Sequence, residues 1–330
     1  MNRAQLFDLR GKSVWVAGHN GLVGSAIVER LQTEGCEIFT VPRAKLDLRD
    51  QTAVHAWMRD HHANVVVLAA AKVGGIMANA AYPVDFLHDN LMIETNVIRA
   101  AWQEGVEKLL FLGSSCIYPK FAPQPIPENA LLTGPLEPTN QWYAIAKIAG
   151  IMLCQAYRRQ YRCNFISAMP TNLYGPNDNF DLTSAHVLPA LLVKAHHAKQ
   201  AGARSLEIWG TGSPRREFLH VRDLADALVH LLKFYSGEQH VNIGYGSDVS
   251  ILELATAVKA VVGFKGELAF DQTKPDGTPR KLIDSSFMRS MGWVPQIDLK
   301  EGLLSTYAWY LENMVSHSAN RLDAQSHLYA

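Results

Sequence analysis

Val14-Trp15-Val16-Ala17-Gly18-His19-Asn20-Gly21-Leu22-Val23-Gly24 is the stretch that decides the fold. An apolar, β-rich run ends directly on Gly18, glycines recur as Gly18-x-x-Gly21-x-x-Gly24, and Leu22, Val23, Ala26, Ile27 and Val28 supply an apolar helical face at once afterwards. Strand, tight turn and helix in that order open a parallel sheet. Glycine at the turn lets the backbone approach a pyrophosphate, and the N-terminus of the following helix stabilises the negative charge. Gly18, Asn20, Gly21, Leu22, Val23 and Gly24 are therefore the candidate dinucleotide-binding residues.

Outward from this unit, short β-rich runs alternate with amphipathic stretches, as a parallel sheet with crossover helices requires. Strands are expected at Ser13 to Ala17, Glu37 to Val41, Val65 to Ala69, Lys108 to Leu112 and Asn164 to Ala168. Val65-Val66-Val67-Leu68 and Leu109-Leu110-Phe111-Leu112 are continuously apolar, which suits strands covered on both faces. The expected fold is α/β, a doubly wound parallel sheet with a smaller C-terminal α/β lobe. Tyr118 to Asn140 carries six prolines and reads as a long loop over the site rather than a crossover helix. From Tyr174 the pattern loosens into short helices and strands, and the tail after Asn313 is polar.

Lys plus Arg and Asp plus Glu are equal at 31 each, so no global field favours nucleic acid or an anionic membrane, and any anion site must be local. No apolar run approaches the roughly 20 residues needed to span a bilayer, and the N-terminus leads into no signal-like apolar core. The expectation is a cytoplasmic protein with neither a membrane nor a nucleic-acid partner. Cys36, Cys116, Cys154 and Cys163 have no C-x-x-C spacing, so reduced thiols are expected and no metal site.

Tyr143 and Lys147 stand four apart in a helical stretch, hence on one face, downstream of Ser114 at a strand end. The ammonium is expected to reach the phenol and lower its pKa from about 10, which would make it a usable acid near neutrality. After the second strand, Thr40-Val41-Pro42-Arg43-Ala44-Lys45 carries cations and no acid. A cation there suits the extra phosphate of NADP, so NADP(H) is the expected cofactor, with Arg43 its main discriminator.

Ser114-Ser115-Cys116-Ile117-Tyr118-Pro119, Glu137-Pro138-Thr139-Asn140, Tyr143-Ala-Ile-Ala-Lys147, Pro170-Thr171-Asn172-Leu173-Tyr174-Gly175-Pro176 and Lys274-Pro275-Asp276-Gly277-Thr278-Pro279-Arg280-Lys281 together resemble the extended short-chain dehydrogenase/reductase family, and within it the GDP-L-fucose synthase branch. The resemblance runs from about Val14 to Asn313. It implies a Rossmann domain over residues 1–173 with a returning segment near 238–262, and a substrate-binding lobe from 174–237 and 263–330. It implies that Tyr143 protonates a carbonyl oxygen held by Ser114, that Lys147 tunes Tyr143 and grips the nicotinamide ribose, and that Asp47-Leu48 contacts adenine.

Relatives that run dehydration place an acidic pair after the serine, where this chain has Ser115-Cys116. Cys116 is therefore the expected base for epimerisation beside a ketone, and His186 matches the acid on the opposite face. Asn172, Val187, Lys194, Trp209, Arg216, Asp276 and Lys281 are implied to bind a GDP-sugar. Resembling enzymes often carry arginine where this chain has Asn20 and Lys194. Most of the other histidines, including His61-His62 and His196-His197, read as surface or helix-face residues, and His220 as mainly structural. The implied activity is 3,5-epimerisation and NADPH-dependent 4-keto reduction of GDP-4-keto-6-deoxy-D-mannose to GDP-L-fucose. Another nucleotide-sugar 4-reductase or 4-epimerase, or a silent NADP sensor, are the alternatives. Helices over Asp85 to Glu104 and Tyr143 to Gln160 are implied to pair two-fold in a homodimer.

Overall fold

The computed structural model describes residues 4–274 and 276–315. Along the first half run β1 (Ser13–Ala17), α1 (Leu22–Leu31), β2 (Glu37–Phe39), α2 (Gln51–His61), β3 (Val65–Leu68), α3 (Ile76–Ala81), α4 (Pro83–Gln103), β4 (Lys108–Leu112), α5 (Gln141–Tyr161) and β5 (Phe165–Pro170). There follow β6 (Asn172–Tyr174), α6 (Val187–Gln200), β7 (Ser205–Trp209), β8 (Arg215–Arg216), β9 (Phe218–His220), α7 (Val221–Phe234) and β10 (Val241–Ile243). The chain continues as β11 (Val249–Ser250), α8 (Ile251–Val262), β12 (Glu267–Asp271), β13 (Arg280–Lys281), α9 (Ser286–Ser290) and α10 (Leu299–Tyr310).

The main sheet has six strands in the order β10-β5-β4-β3-β1-β2, every pairing parallel. Chain direction reverses its progress between β1 and β3, and the carboxyl ends of those strands form the crevice where such sheets bind ligands. Alternation along the strands explains their apolar runs. Val14, Val16, Val65, Val67, Leu110 and Leu112 pack on one face with α1 and α7. Trp15, Ala17, Val66, Leu68, Leu109 and Phe111 pack on the other with α2, α4 and α5. A strand covered twice has no solvent face to leave polar.

The expected doubly wound sheet is present, with β2 ending at Phe39 and β5 running from Phe165 to Pro170. Packing divides the chain differently from the expected boundaries. Leu224, Leu228, Leu231 and Leu232 of α7, expected in the smaller lobe, lie against α1 in the core of the main sheet, joined by Met288 and Trp293. Helix α8, expected to return with β10, instead joins α6 and α10 around Leu254, Val258, Leu191 and Leu303 in the lobe core. The physical reason is coverage. One face of the sheet has only α1 from the first half, and α7 is the helix that closes it.

The proline-rich segment is irregular apart from a short turn at Glu128–Ala130. It is pinned from below: the Tyr118 hydroxyl donates to Asn242 Oδ1 at 2.5 Å and lies 2.9 Å from His240 Nε2, while Asn242 Nδ2 donates to the Ile126 carbonyl at 3.0 Å. Glu137 ties its far end to Lys120 at 3.0 Å and accepts from the Thr278 hydroxyl at 3.2 Å. The loop thus closes over the carboxyl end of β4. Among the described residues no helix is long and apolar enough to cross a membrane. Most of the polar tail lies outside the described residues.

Candidate active site

At the nucleotide end, Gly18 takes φ +94°, and a Cβ there would sit 2.6 Å from the Ala70 backbone nitrogen. A Cβ on Gly24 would sit 2.0 Å from the Gly18 carbonyl oxygen, so helix and strand approach as only glycine permits. Gly21 precedes α1 with no side-chain cap, which leaves the N–H groups of the first turn for an anion. Leu22 and Val23 open that turn, and Asn20 is exposed beside it. From the lobe side, Asn177 Nδ2 donates to Ser25 Oγ at 3.2 Å, laying the segment after β6 on the same turn. The cradle fits a dinucleotide pyrophosphate.

Arg43 is exposed in the segment after β2. Asp47, expected at adenine, is held at a pKa of about 2 by hydrogen bonds from Arg49, and Leu48 packs on the core beside it. Arg49 also reaches Asp89 at 3.3 Å, a cation that sequence reasoning missed.

At the reacting end, Ser114 follows β4 and caps the short turn Ser115–Ile117, its Oγ accepting from the Cys116 N–H at 3.4 Å. Cys116 and Lys281 line one small cavity of about 40 Å³ with Ser115, Glu137 and Asn140. Burial pushes the thiol up, opposed first by the charge of Lys281. Lys281 sits on β13, paired with β8, and its carbonyl accepts from the Glu217 N–H at 3.3 Å. His186 is exposed at the N-cap position of α6 and makes no side-chain cap hydrogen bond, and desolvation together with Lys281 lowers its pKa. At rest the pair is thus thiol and neutral imidazole, and Lys281, its own pKa lowered by burial, acts on both.

The phenol departs from expectation. Burial pushes Tyr143 well above 10, and Cys116 and Glu94 push it further. Lys147 does not bring it down: its Nζ lies 5.8 Å from the Tyr143 ring centroid and 2.9 Å from Glu94 Oε1 on α4. The ammonium is spent on a carboxylate. Glu94 was missed in the sequence, yet Phe86, Asn90, Glu94, Val97 and Ala101 form one buried helical stripe, and an acid on it was the available signal.

Farther out, Trp209 is 47% exposed rather than core, with Lys194 Nζ 4.9 Å and Lys274 Nζ 5.6 Å from its ring centroid. Asp276 accepts from the Thr211 N–H at 2.7 Å and hydroxyl at 2.9 Å, so it braces the turn after Trp209. Arg216 is half-buried on β8, its pKa lowered by desolvation, and Asn172 Nδ2 donates to the Glu217 carbonyl at 2.8 Å. Val187 is exposed on the first turn of α6. His220 caps α7 and is structural, as expected. His196 is not a surface residue: it is 5% exposed, with Nδ1 2.9 Å from the Tyr307 hydroxyl, because its side of α6 faces α10. Among the described residues no cluster is suited to a metal ion.

Residues 14–244 match the NAD dependent epimerase/dehydratase family. A GDP-L-fucose synthase of Sinorhizobium fredii is 58% identical over 312 residues, covering 94% of this chain and 99% of the relative. The NADP-bound structure of a GDP-L-fucose synthetase from Naegleria fowleri superposes with a TM-score of 0.86 at 29% identity, covering 94% and 97% of the two chains. A GDP-mannoheptose C4 reductase from Campylobacter jejuni, also with NADP bound, gives a TM-score of 0.82 at 38% identity over 92% and 99%.

Proposed function

The chain belongs to the NAD dependent epimerase/dehydratase family, and from that premise we propose that it converts GDP-4-keto-6-deoxy-D-mannose to GDP-L-fucose, by 3,5-epimerisation followed by NADPH-dependent reduction at C4. The observation that supports the reading is one connected set of side chains: Ser114 accepts from the Cys116 N–H, Cys116 acts on the Tyr143 phenol, and Lys281 acts on both Cys116 and His186, which suits Ser114 and Tyr143 to a carbonyl oxygen and Cys116 and His186 to carbon-bound protons. The turn at Gly18 to Gly24 and Arg43 would hold NADP(H), which when bound would supply hydride to C4. Tyr143 gives its proton to the 4-oxygen, and Ser114 hydrogen-bonds the same oxygen. With the thiol proton passed to His186, Cys116 as thiolate takes the proton from C3 or C5, the electron pair of that C–H bond passing into the carbonyl as an enolate, and His186 as imidazolium returns a proton on the opposite face. Lys194, Trp209, Arg216, Asp276 and Lys281 serve the GDP-sugar, with Lys281 nearest the chemistry. NMR of the product from the 4-keto sugar nucleotide and NADPH tests the proposal. A 4-reduced sugar of unchanged configuration at C3 and C5 would leave a plain 4-reductase, the activity in the name of the Campylobacter relative.

Arg43→Ala should weaken NADPH far more than NADH, since only NADPH loses a charge-assisted contact of about 1.5 to 3 kcal/mol. The ratio of kcat/KM for the two cofactors checks this, and an unchanged ratio would move attention to Lys45.

The assembly is a homodimer through α4 and α5, in the cytoplasm. Trp142, Ile145 and Met152 form an apolar stripe on α5, 39 to 43% exposed, beside Val84 of α4 at 72%. Such a stripe on paired helices suits a second copy of itself. Met152→Glu should shift the protein to monomer in light scattering.

A further inference from the structure

Lys147 has a partner that the reductase chemistry above does not use. Its Nζ is 2.9 Å from Glu94 Oε1, with the two side chains 2% and 1% exposed. Neither Glu94 oxygen has an aligned hydrogen-bond donor among the described residues, so the charge of Lys147 is what holds this carboxylate in the interior. Such pairs are a poor means to stability, because apolar replacements of similar volume are often equally stable or better. The surroundings are shaped to keep it. A Cβ on Gly150 would come within 2.9 Å of Glu94 Oε2 and 2.3 Å of Phe111 Cζ, and the Phe111 ring lies beneath the ammonium at 4.7 Å.

We propose that Glu94 is a positioning residue of the reductase half of the site, fixing Lys147 between α4 and α5 and setting the charge balance under the Tyr143 phenol. This rests on the reading of Tyr143 as the donor to the 4-ketone. Tyr143 faces Cys116 from the turn Ser115–Ile117, Glu94 from α4 and Lys147 on its own helix, and Glu94 also acts on Cys154. Burial pushes both thiols up and raises the Glu94 carboxyl as well, and Lys147 at 2.9 Å opposes that rise, so the negative charge facing the phenol is the one that this ion pair sustains. Its carboxylate opposes ionisation of the phenol and keeps the proton available for the substrate.

The test compares wild type, Glu94→Gln and Glu94→Asp for reduction and, separately, for deuterium exchange at C3 and C5. Glu94→Gln should slow reduction about tenfold or more while exchange changes by less than about twofold, because Cys116 and His186 are untouched. Removing a negative neighbour lowers the phenol pKa, so the alkaline limb of reduction, where the protonated phenol is lost, should move down by about one pH unit. Glu94→Asp should lie between, with its limb near wild type. Without substrate or cofactor, Glu94→Gln should lower the Tm by several degrees in the wild-type background and by much less in Lys147→Met. Reduction and exchange falling together, or an unmoved limb in Glu94→Gln, would overturn the proposal. Should the Gln variant not fold, a wild-type ratio of reduction to exchange in Glu94→Asp does the same. Wild-type protein that does not reduce the 4-keto sugar would instead sink the functional reading, and the Tm comparison would still judge the pair.

Discussion

Cys116→Ser should stop solvent deuterium from entering C3 and C5 while hydride still reaches C4. The substitution keeps the shape of the side chain and replaces a thiol with an alcohol that does not ionise appreciably near neutral pH, so the base is lost. Exchange should fall by at least about 10² fold, the usual contribution of a positioned base. The expected product is then a 6-deoxy sugar of the original configuration, reduced at C4. Burial already holds the thiol above its ordinary value, and Lys281 beside the same cavity is the first charge opposing that rise. The resting base is thus protonated, and it acts once its proton has passed to the neutral imidazole of His186, the thiolate then standing against the charge of Lys281. His186→Asn should behave differently, permitting deprotonation while impairing return of the proton on the other face. NMR in deuterated water reads both variants. Undiminished label in Cys116→Ser would refute the two-function mechanism and leave a plain reductase.

The frame of the site was legible because it follows from local chemistry. Val14 to Gly24 could be placed from spacing alone, since a strand buried on both faces is apolar throughout and the close approaches at Gly18 and Gly24 exclude any side chain. Electrostatic detail was not legible. The interval from Tyr143 to Lys147 correctly predicts a shared helical face, yet it says nothing of what the neighbouring helix offers, and Glu94 arrives from 53 positions upstream through the packing of α4 on α5. Lobe membership failed for the same reason. The amphipathic patterns of α7 and α8 reveal that each buries a face, but only the assembled fold decides that Leu228 joins the core of the main sheet while Leu254 joins the core of the lobe. His196 follows suit, because the residue that buries it, Tyr307, is 111 positions away.

Tyr143→Phe should depress reduction by about 10² to 10⁴ fold, equivalent to about 2.7 to 5.4 kcal/mol of barrier, while exchange at C3 and C5 survives. The size follows from what is removed. Phenylalanine keeps the ring that packs edge-on against Phe86 at 6.4 Å between centroids, so the fold loses little and the reaction loses its acid. The pH dependence gives an independent check. Tyr143 must be protonated to donate, and burial, Cys116 and Glu94 all hold its pKa above the ordinary value, so wild-type reduction should persist through neutral pH and decline only as pH rises toward that raised value. The remaining rate in Tyr143→Phe should show no such alkaline limb, because the group responsible for it is gone. Hydride transfer is read as loss of NADPH absorbance under saturating 4-keto substrate, across pH, for both proteins. Near wild-type reduction in Tyr143→Phe, or the same alkaline limb in its residual rate, would move the proton donor to another group and remove the reason for Glu94 and Lys147 to be paired beneath it.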